Sequence, residues 1–153
     1  ELKEGYEKLK NSYTLPGFKE MNEDFEIEKL QERETDLLIR EVRRLMVEKN
    51  SAYLRFIEMF MNPGNAPMFF FSLVKNMDHV DKKVLEELYG EIGKFEILSL
   101  KLDNEYNEEK ESEFIKKFYK DWQEIKKKFG EVLKVLEESW DKKAERKEKG
   151  YLG

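Results

Sequence analysis

FFSLVKNMDHVDKKVLEELYGEIGKFEILSLKL, residues 70–102, decides the fold. Within it Phe70, Leu73, Met77, Val80, Val84, Leu88, Ile92, Phe95, Leu98 and Leu102 return in steps of three or four. Such steps bring side chains back to one face of an α-helix, whereas a half-buried strand needs alternation by two. One stripe predicts one helix over 67–102, with a kink placed near residues 76–78. Leu98, Leu100 and Leu102 alternate with polar residues, so a short strand there is the minor reading. Gly90 and Gly93 lie off the stripe, and each weakens a helix by about 1 kcal/mol relative to alanine.

The same period extends in both directions. After a polar turn at residues 103–107, Ile115, Phe118, Trp122, Ile125, Phe129, Val132 and Leu136 form a heptad-like seam, which Trp140 and Ala144 continue. This predicts a helix over 108–149, bent at Gly130. Upstream, Asn62-Pro63-Gly64 ends a helix expected over 24–61, with Asp24 as N-cap and Ile27, Leu38, Val42, Leu45, Phe56 and Phe60 on one face. Pro67 falls in the first turn of the following helix, where its missing N–H is harmless. Leu2, Tyr6, Leu9 and Tyr13 predict a short amphipathic helix over 2–13, stopped by Thr14-Leu15-Pro16-Gly17, a type II turn by its Pro-Gly pair. Three long helices joined by short connections must alternate in direction. The expected fold is therefore a single all-α domain, 1–153: an elongated up-down-up bundle of three long helices with a short N-terminal helix packed across it.

Composition agrees with a folded, water-soluble chain. Its 153 residues suffice for one core without staples, and 13% aromatic content is too high for disorder. There is no cysteine, which excludes disulfides, thiolate metal sites and a cysteine nucleophile, and makes the cytoplasm the expected compartment. The longest apolar stretch, 66–74, falls short of the roughly 18–20 residues of a membrane span, so no membrane association is expected. The net charge of -5 argues against a dedicated binder of nucleic acid. Glu and Lys abound while Gln and Thr occur twice each, a bias found in thermophilic proteins.

Two features stand out as candidate sites. The first is MFMNPGNAPMFFFSLV, residues 59–74, where methionines and phenylalanines flank a turn. Met59, Phe60, Met61, Met68, Phe69 and Phe71 could form an adaptable apolar surface for a partner helix, an apolar ligand or another copy of the chain. Trp140, on the last helix, is the neighbour expected to cover part of this corner. Its competing reading is ordinary core. The second feature is arginine placement: five of the six arginines lie between residues 33 and 55. Arg33, Arg40, Arg44 and Arg55 share one side of a helix over roughly 33 Å, a ridge able to grip phosphates. Neighbouring acids offset it, through the expected pairs Asp36 with Arg40, Glu41 with Arg44, and Arg44 with Glu48.

Other patterns lead away from catalysis and cofactors. In IKKFYKDWQEIKKKF, residues 115–129, the aromatics occupy the seam while Lys116, Lys120 and Lys127 point outward, so bases cannot stack on the rings. His79 is the only histidine, and Asp78 and Asp81 diverge from it on a helix. A di-iron bundle site, a serine triad and a HExxH zinc site all lack their parts. DNEYNEEKESEF, from Asp103, fails as a calcium loop, with Glu108 where glycine is needed and Phe114 where the closing glutamate belongs. GEIGK, residues 90–94, is too short for a phosphate-binding loop. An enzyme would have to rely on carboxylates raised in pKa by burial, for which Glu34 and Glu91 are the candidates. No catalytic, cofactor or metal residue is assigned. The expectation is an interaction or scaffold protein, homo-oligomeric or bound to a protein partner.

Overall fold

The computed structural model describes residues 1–75 and 77–152, with side chains at all of them except 143, 144 and 146–152. Among the described residues every regular element is helical and no strand occurs, in agreement with the all-α class read from the periodicity. The helices are α1 (Leu2–Tyr13), α2 (Phe18–Phe25), α3 (Leu38–Met61), α4 (Met68–Val74), α5 (His79–Asn104) and α6 (Glu108–Leu152). Short 3-10 turns occupy Ile27–Glu32 and Pro63–Asn65.

Three local expectations need correction. The helix expected over 24–61 is three elements, and Asp24 lies inside α2 instead of capping a helix. Phe25 and Ile27 are both buried, yet residues two apart on one helix point about 200° apart. The chain resolves this by breaking at Glu26, which adopts the left-handed conformation (φ 53°) and turns both side chains inward. The Asn22 side chain accepts the Glu28 N–H at 3.0 Å and secures the break.

The stripe over 67–102 is two helices, α4 and α5, separated at the place of the expected kink. Asp78 caps the second by accepting the Asp81 N–H at 2.8 Å, and the break resets the phase. On α5 the buried line runs Leu85, Leu88, Ile92, Phe95, Ser99 and Leu102, which leaves Val80 exposed. The helix continues through Leu98, Leu100 and Leu102, against the strand reading. Finally, Gly17 has φ -63°, which excludes a type II turn at Pro16-Gly17. The left-handed residue is Thr14, and the Leu15 N–H reaches back to the Lys10 carbonyl at 3.2 Å to close α1.

The chain forms two compact units. The first comprises Glu1–Tyr53 and Ile92–Gln123. Its core joins Tyr6, Met21, Phe25, Ile27 and Leu30 with residues of α3, α5 and α6, all buried. Phe25 meets Phe118 and Trp122 at ring-centroid distances of 5.7 and 5.6 Å, and Phe95 meets Phe118 at 4.9 Å. Gly5 brings α1 close to α3, since a Cβ there would stand 3.2 Å from Leu38 Cδ2. Tyr6 donates its hydroxyl to the Pro16 carbonyl, and burial pushes its phenol well above the ordinary value.

The second unit comprises Leu54–Glu91 and Glu124–Gly153. Its core is a cluster of phenylalanines: Phe56 contacts Phe60, Phe70 and Phe129 at 5.0, 5.2 and 5.4 Å. Ile125, Phe129, Val132 and Leu136 of α6 and Leu85 and Leu88 of α5 are buried in this unit. The seam read over residues 115–136 is thus buried at every position. Ala144 lies outside the residues with described side chains.

A Cβ at Gly93 or Gly130 would meet no neighbour within 4 Å, and both glycines sit inside helices. Gly93→Ala and Gly130→Ala should each raise stability by about 0.5–1 kcal/mol. Urea unfolding midpoints check this, and a fall in either midpoint would mean that the helix bends there for a reason.

Candidate apolar docking surface and its alternatives

The methionine-phenylalanine corner divides by helical phase. On α4 the side chains of Phe70, Leu73 and Val74 turn inward, and Phe70 packs on Phe60 at 5.3 Å. Met68 is 84% exposed, and Phe69 (50%) and Phe71 (51%), about 200° apart around the helix, flank it. Met61, at the end of α3, is 45% exposed, Met59 is half-buried, and Phe60 belongs to the core. Trp140 meets Phe69 at a ring-centroid distance of 5.0 Å with the planes tilted by 54°, as a neighbour of the corner, while remaining 44% exposed itself. Of the six residues named from sequence, Phe60 is buried, Met59 is half-buried and the other four are exposed, and Phe70 links Phe60 and Phe69 with ring contacts of 5.3 Å to each.

Keeping a large apolar side chain in water forgoes about 1.5–3 kcal/mol when exposure is complete. Four such side chains, half to mostly exposed, forgo several kcal/mol in a molecule whose net stability is of order 10 kcal/mol. Singly exposed apolar residues need no explanation, but three of these four crowd the first turn of α4 and the fourth ends α3.

The arginine ridge is already engaged in ion pairs. Glu41 collects three of its members: Arg40 at 3.4 Å, Arg44 at 3.4 Å and Arg33 at 4.0 Å. Arg44 also reaches Asp103 at 3.3 Å. Among the described residues Asp36 and Glu48 form no ion pair with Arg40 or Arg44, so two of the three expected pairings are replaced by the convergence on Glu41. Arg55 is exposed and faces a cleft with Glu58, Asn62 and Tyr89.

The arginine that sequence reasoning missed is Arg43, which has no exposed surface. Its Nε and Nη2 grip both oxygens of the equally buried Glu111 at 2.8 and 2.9 Å. Its Nη1 donates to Ser99 at 2.9 Å, and Nη2 also reaches Asp103 at 2.8 Å. The signal was present in the spacing. Arg43 sits between Ile39 and Met46 on the line Ile39, Arg43, Met46, Asn50; Glu111 precedes Ile115 by four; Ser99 follows Phe95 by four. Each polar residue thus occupies the buried seam of its own helix, and together they make a polar layer. Farther along α3, buried Asn50 donates to the Ile92 carbonyl and to Glu96, both at 3.0 Å.

Glu34 and Glu91, the carboxylates considered for catalysis, are both exposed, and Glu91 pairs with Lys128 at 3.4 Å. The carboxylate that is buried, Glu111, is clamped on both oxygens and closed to solvent, so no substrate atom reaches it. Phe118, Trp122 and Phe129 are buried, which takes the lysine-aromatic stretch out of consideration as a stacking surface. His79 is exposed at the start of α5, and among the described residues no three metal-ligating side chains gather. A cleft of about 340 Å³ between α5 and α6 has Phe95, Leu102 and Phe114 in its floor. Its charged members, Lys101, Glu105, Lys110, Glu113 and Lys117, are all exposed and of both signs, so they select no one ligand charge.

Arg43→Ala strands a buried carboxylate and should cost about 3–5 kcal/mol. Replacing both partners, Arg43→Met with Glu111→Met, should cost less than Arg43→Ala. A loss below about 1 kcal/mol for Arg43→Ala, measured by urea unfolding, would contradict the desolvated pair. Burial alone would raise the Asp103 carboxyl, but the hydrogen bond and charge of Arg43, with Arg44 behind, hold it below the ordinary 3.8. A depressed folded value contributes stability above pH 3.8 and loses it as pH falls from there through that lower value. Asp103→Asn should therefore flatten the acid limb of the stability profile, and an unchanged limb would contradict the assignment.

No protein family, curated protein or solved structure matches the chain, so geometry alone carries the functional reading.

Proposed function

We propose that this chain is a non-catalytic helical interaction or scaffold module that covers its exposed corner with an apolar surface of another polypeptide. The surface consists of Met61, Met68, Phe69 and Phe71, with Met59 at its margin and Phe60 as its buried support. The exposure of Met68, Phe69 and Phe71 in the first turn of α4 carries this reading. Unbranched methionine adapts to varied contours, and the phenylalanines bring large area at little entropic cost. No helix among the described residues is long and apolar enough to cross a membrane. The absence of cysteine supports a cytoplasmic setting, and the abundance of Glu and Lys suits a hot habitat.

The finer architecture belongs to the same proposal: α3, α5 and α6 run up, down and up. Its support lies in the first unit, where Arg43 meets Ser99 and Asp103 while Asn50 meets Ile92 and Glu96. Partners on α5 descend in number as α3 ascends, the pattern of antiparallel neighbours. Phosphate or nucleic-acid binding has less support, because three of the four ridge arginines already hold carboxylates. Catalysis by Glu34 or Glu91 has less still, because neither is buried.

In dilute solution the dye 1-anilinonaphthalene-8-sulfonate should bind the native chain and fluoresce. Met68→Glu with Phe71→Glu should abolish most of that signal without changing the far-ultraviolet circular dichroism. Fluorescence that is absent, or that survives the double substitution, would sink the reading.

A further inference from the structure

We infer that the occupant of this surface is a second copy of the chain, with α4 packed against α4 of that copy about a two-fold axis; this rests on the interaction reading above. Two observations select a copy over an unrelated partner. The first is charge. Residues 59–77 carry one charged side chain, Lys75, in a chain that is 41% charged. A two-fold axis sets a surface against itself, so every charge within it meets its like. A surface recognised by a distinct partner gains specificity and encounter rate from complementary charge. The tract that supplies Met61, Met68, Phe69 and Phe71 is thus almost neutral within a heavily charged chain, as self-pairing requires, and only Trp140, beside Glu138 and Asp141, lies among charges.

The second observation is area. The exposed fractions of Met61, Met68, Phe69, Phe71 and Trp140 amount to between two and three whole side chains. At about 200 Å² each that is about 500 Å² of apolar surface per copy. Two copies together would bury about 1,000 Å², the lower bound for a specific interface before any polar rim is counted. Trp140 and Phe69, already in contact, supply aromatic anchors of the kind that dominate interface energetics.

Sedimentation equilibrium across a concentration series tests the pairing, with circular dichroism confirming that each variant is folded. The mass should rise from one chain to two. A variant carrying Met68→Lys and Phe71→Lys, and another carrying Met68→Glu and Phe71→Glu, should each dissociate at least about tenfold more readily than the unsubstituted chain. An equal mixture of the two variants should recover the dimer, because opposite charges then face each other across the axis. A single-chain mass at every concentration, variants that pair like the unsubstituted chain, or a mixture that stays monomeric would overturn the two-fold pairing. A monomer whose dye binding is still abolished by Met68→Glu with Phe71→Glu would overturn the pairing alone. Loss of both results would overturn the interaction reading as well.

Discussion

A helix can turn only one narrow face toward its neighbours, and that constraint organises this protein. On α3, α5 and α6 the buried positions recur mostly at intervals of three and four, and the rest of each helix is mainly charged or polar, with Val80, Ile97, Leu100 and Leu133 among the apolar side chains left exposed. Sequence that breaks the interval breaks the helix. Phe25 and Ile27 cannot both face inward on one rod, so the helix breaks at Glu26. The line through Leu73 and the line through Leu85 differ in phase, so the chain stops α4 and starts α5 behind the Asp78 cap.

Apolar burial along such seams is permissive, since sliding one helix by a turn would still bury oily groups. The polar layer removes that freedom in the first unit. Arg43 meets both oxygens of Glu111, the Ser99 hydroxyl and Asp103 in this alignment of the helices, and a slide by one helical turn would carry these partners about 5 Å away from it. Taking these charges out of water is costly, so the layer is better understood as fixing register than as adding stability. The buried Asn50 side chain plays the same part toward Ile92 and Glu96.

Much of the fold was legible because apolar spacing is a direct record of which face is buried. The seam from Ile115 to Leu136 and the bounds of α1 could be read off in this way. What escaped were features that do not announce themselves as apolar. Arg43, Ser99 and Glu111 occupy seam positions, but a search for oily residues passes over them. Thr14 and Glu26 adopt the left-handed conformation that sequence reasoning assigns to glycine. The corner was visible as composition, yet its division into core and surface depended on the phase of α4, which the break before α5 resets. Phe60 and Phe70 face in while Met68 and Phe71 face out, a difference set by rotation about the helix axis and not by residue type.

Eleven large apolar side chains remain exposed among the described residues, and the proposed working surface draws on the three that crowd α4, Met68, Phe69 and Phe71. Methionine oxidation by dilute peroxide, followed by peptide mass spectrometry, tests it most directly, since oxidation rate follows access to sulfur. In dilute solution Met68 should oxidise fastest, then Met61, while Met21 and Met46, which have no exposed surface, stay reduced. Raising the protein concentration should protect Met68 and Met61 and leave Met21 and Met46 as they were. If Met68 in the dilute chain reacts as slowly as Met46, the corner is closed and the account fails.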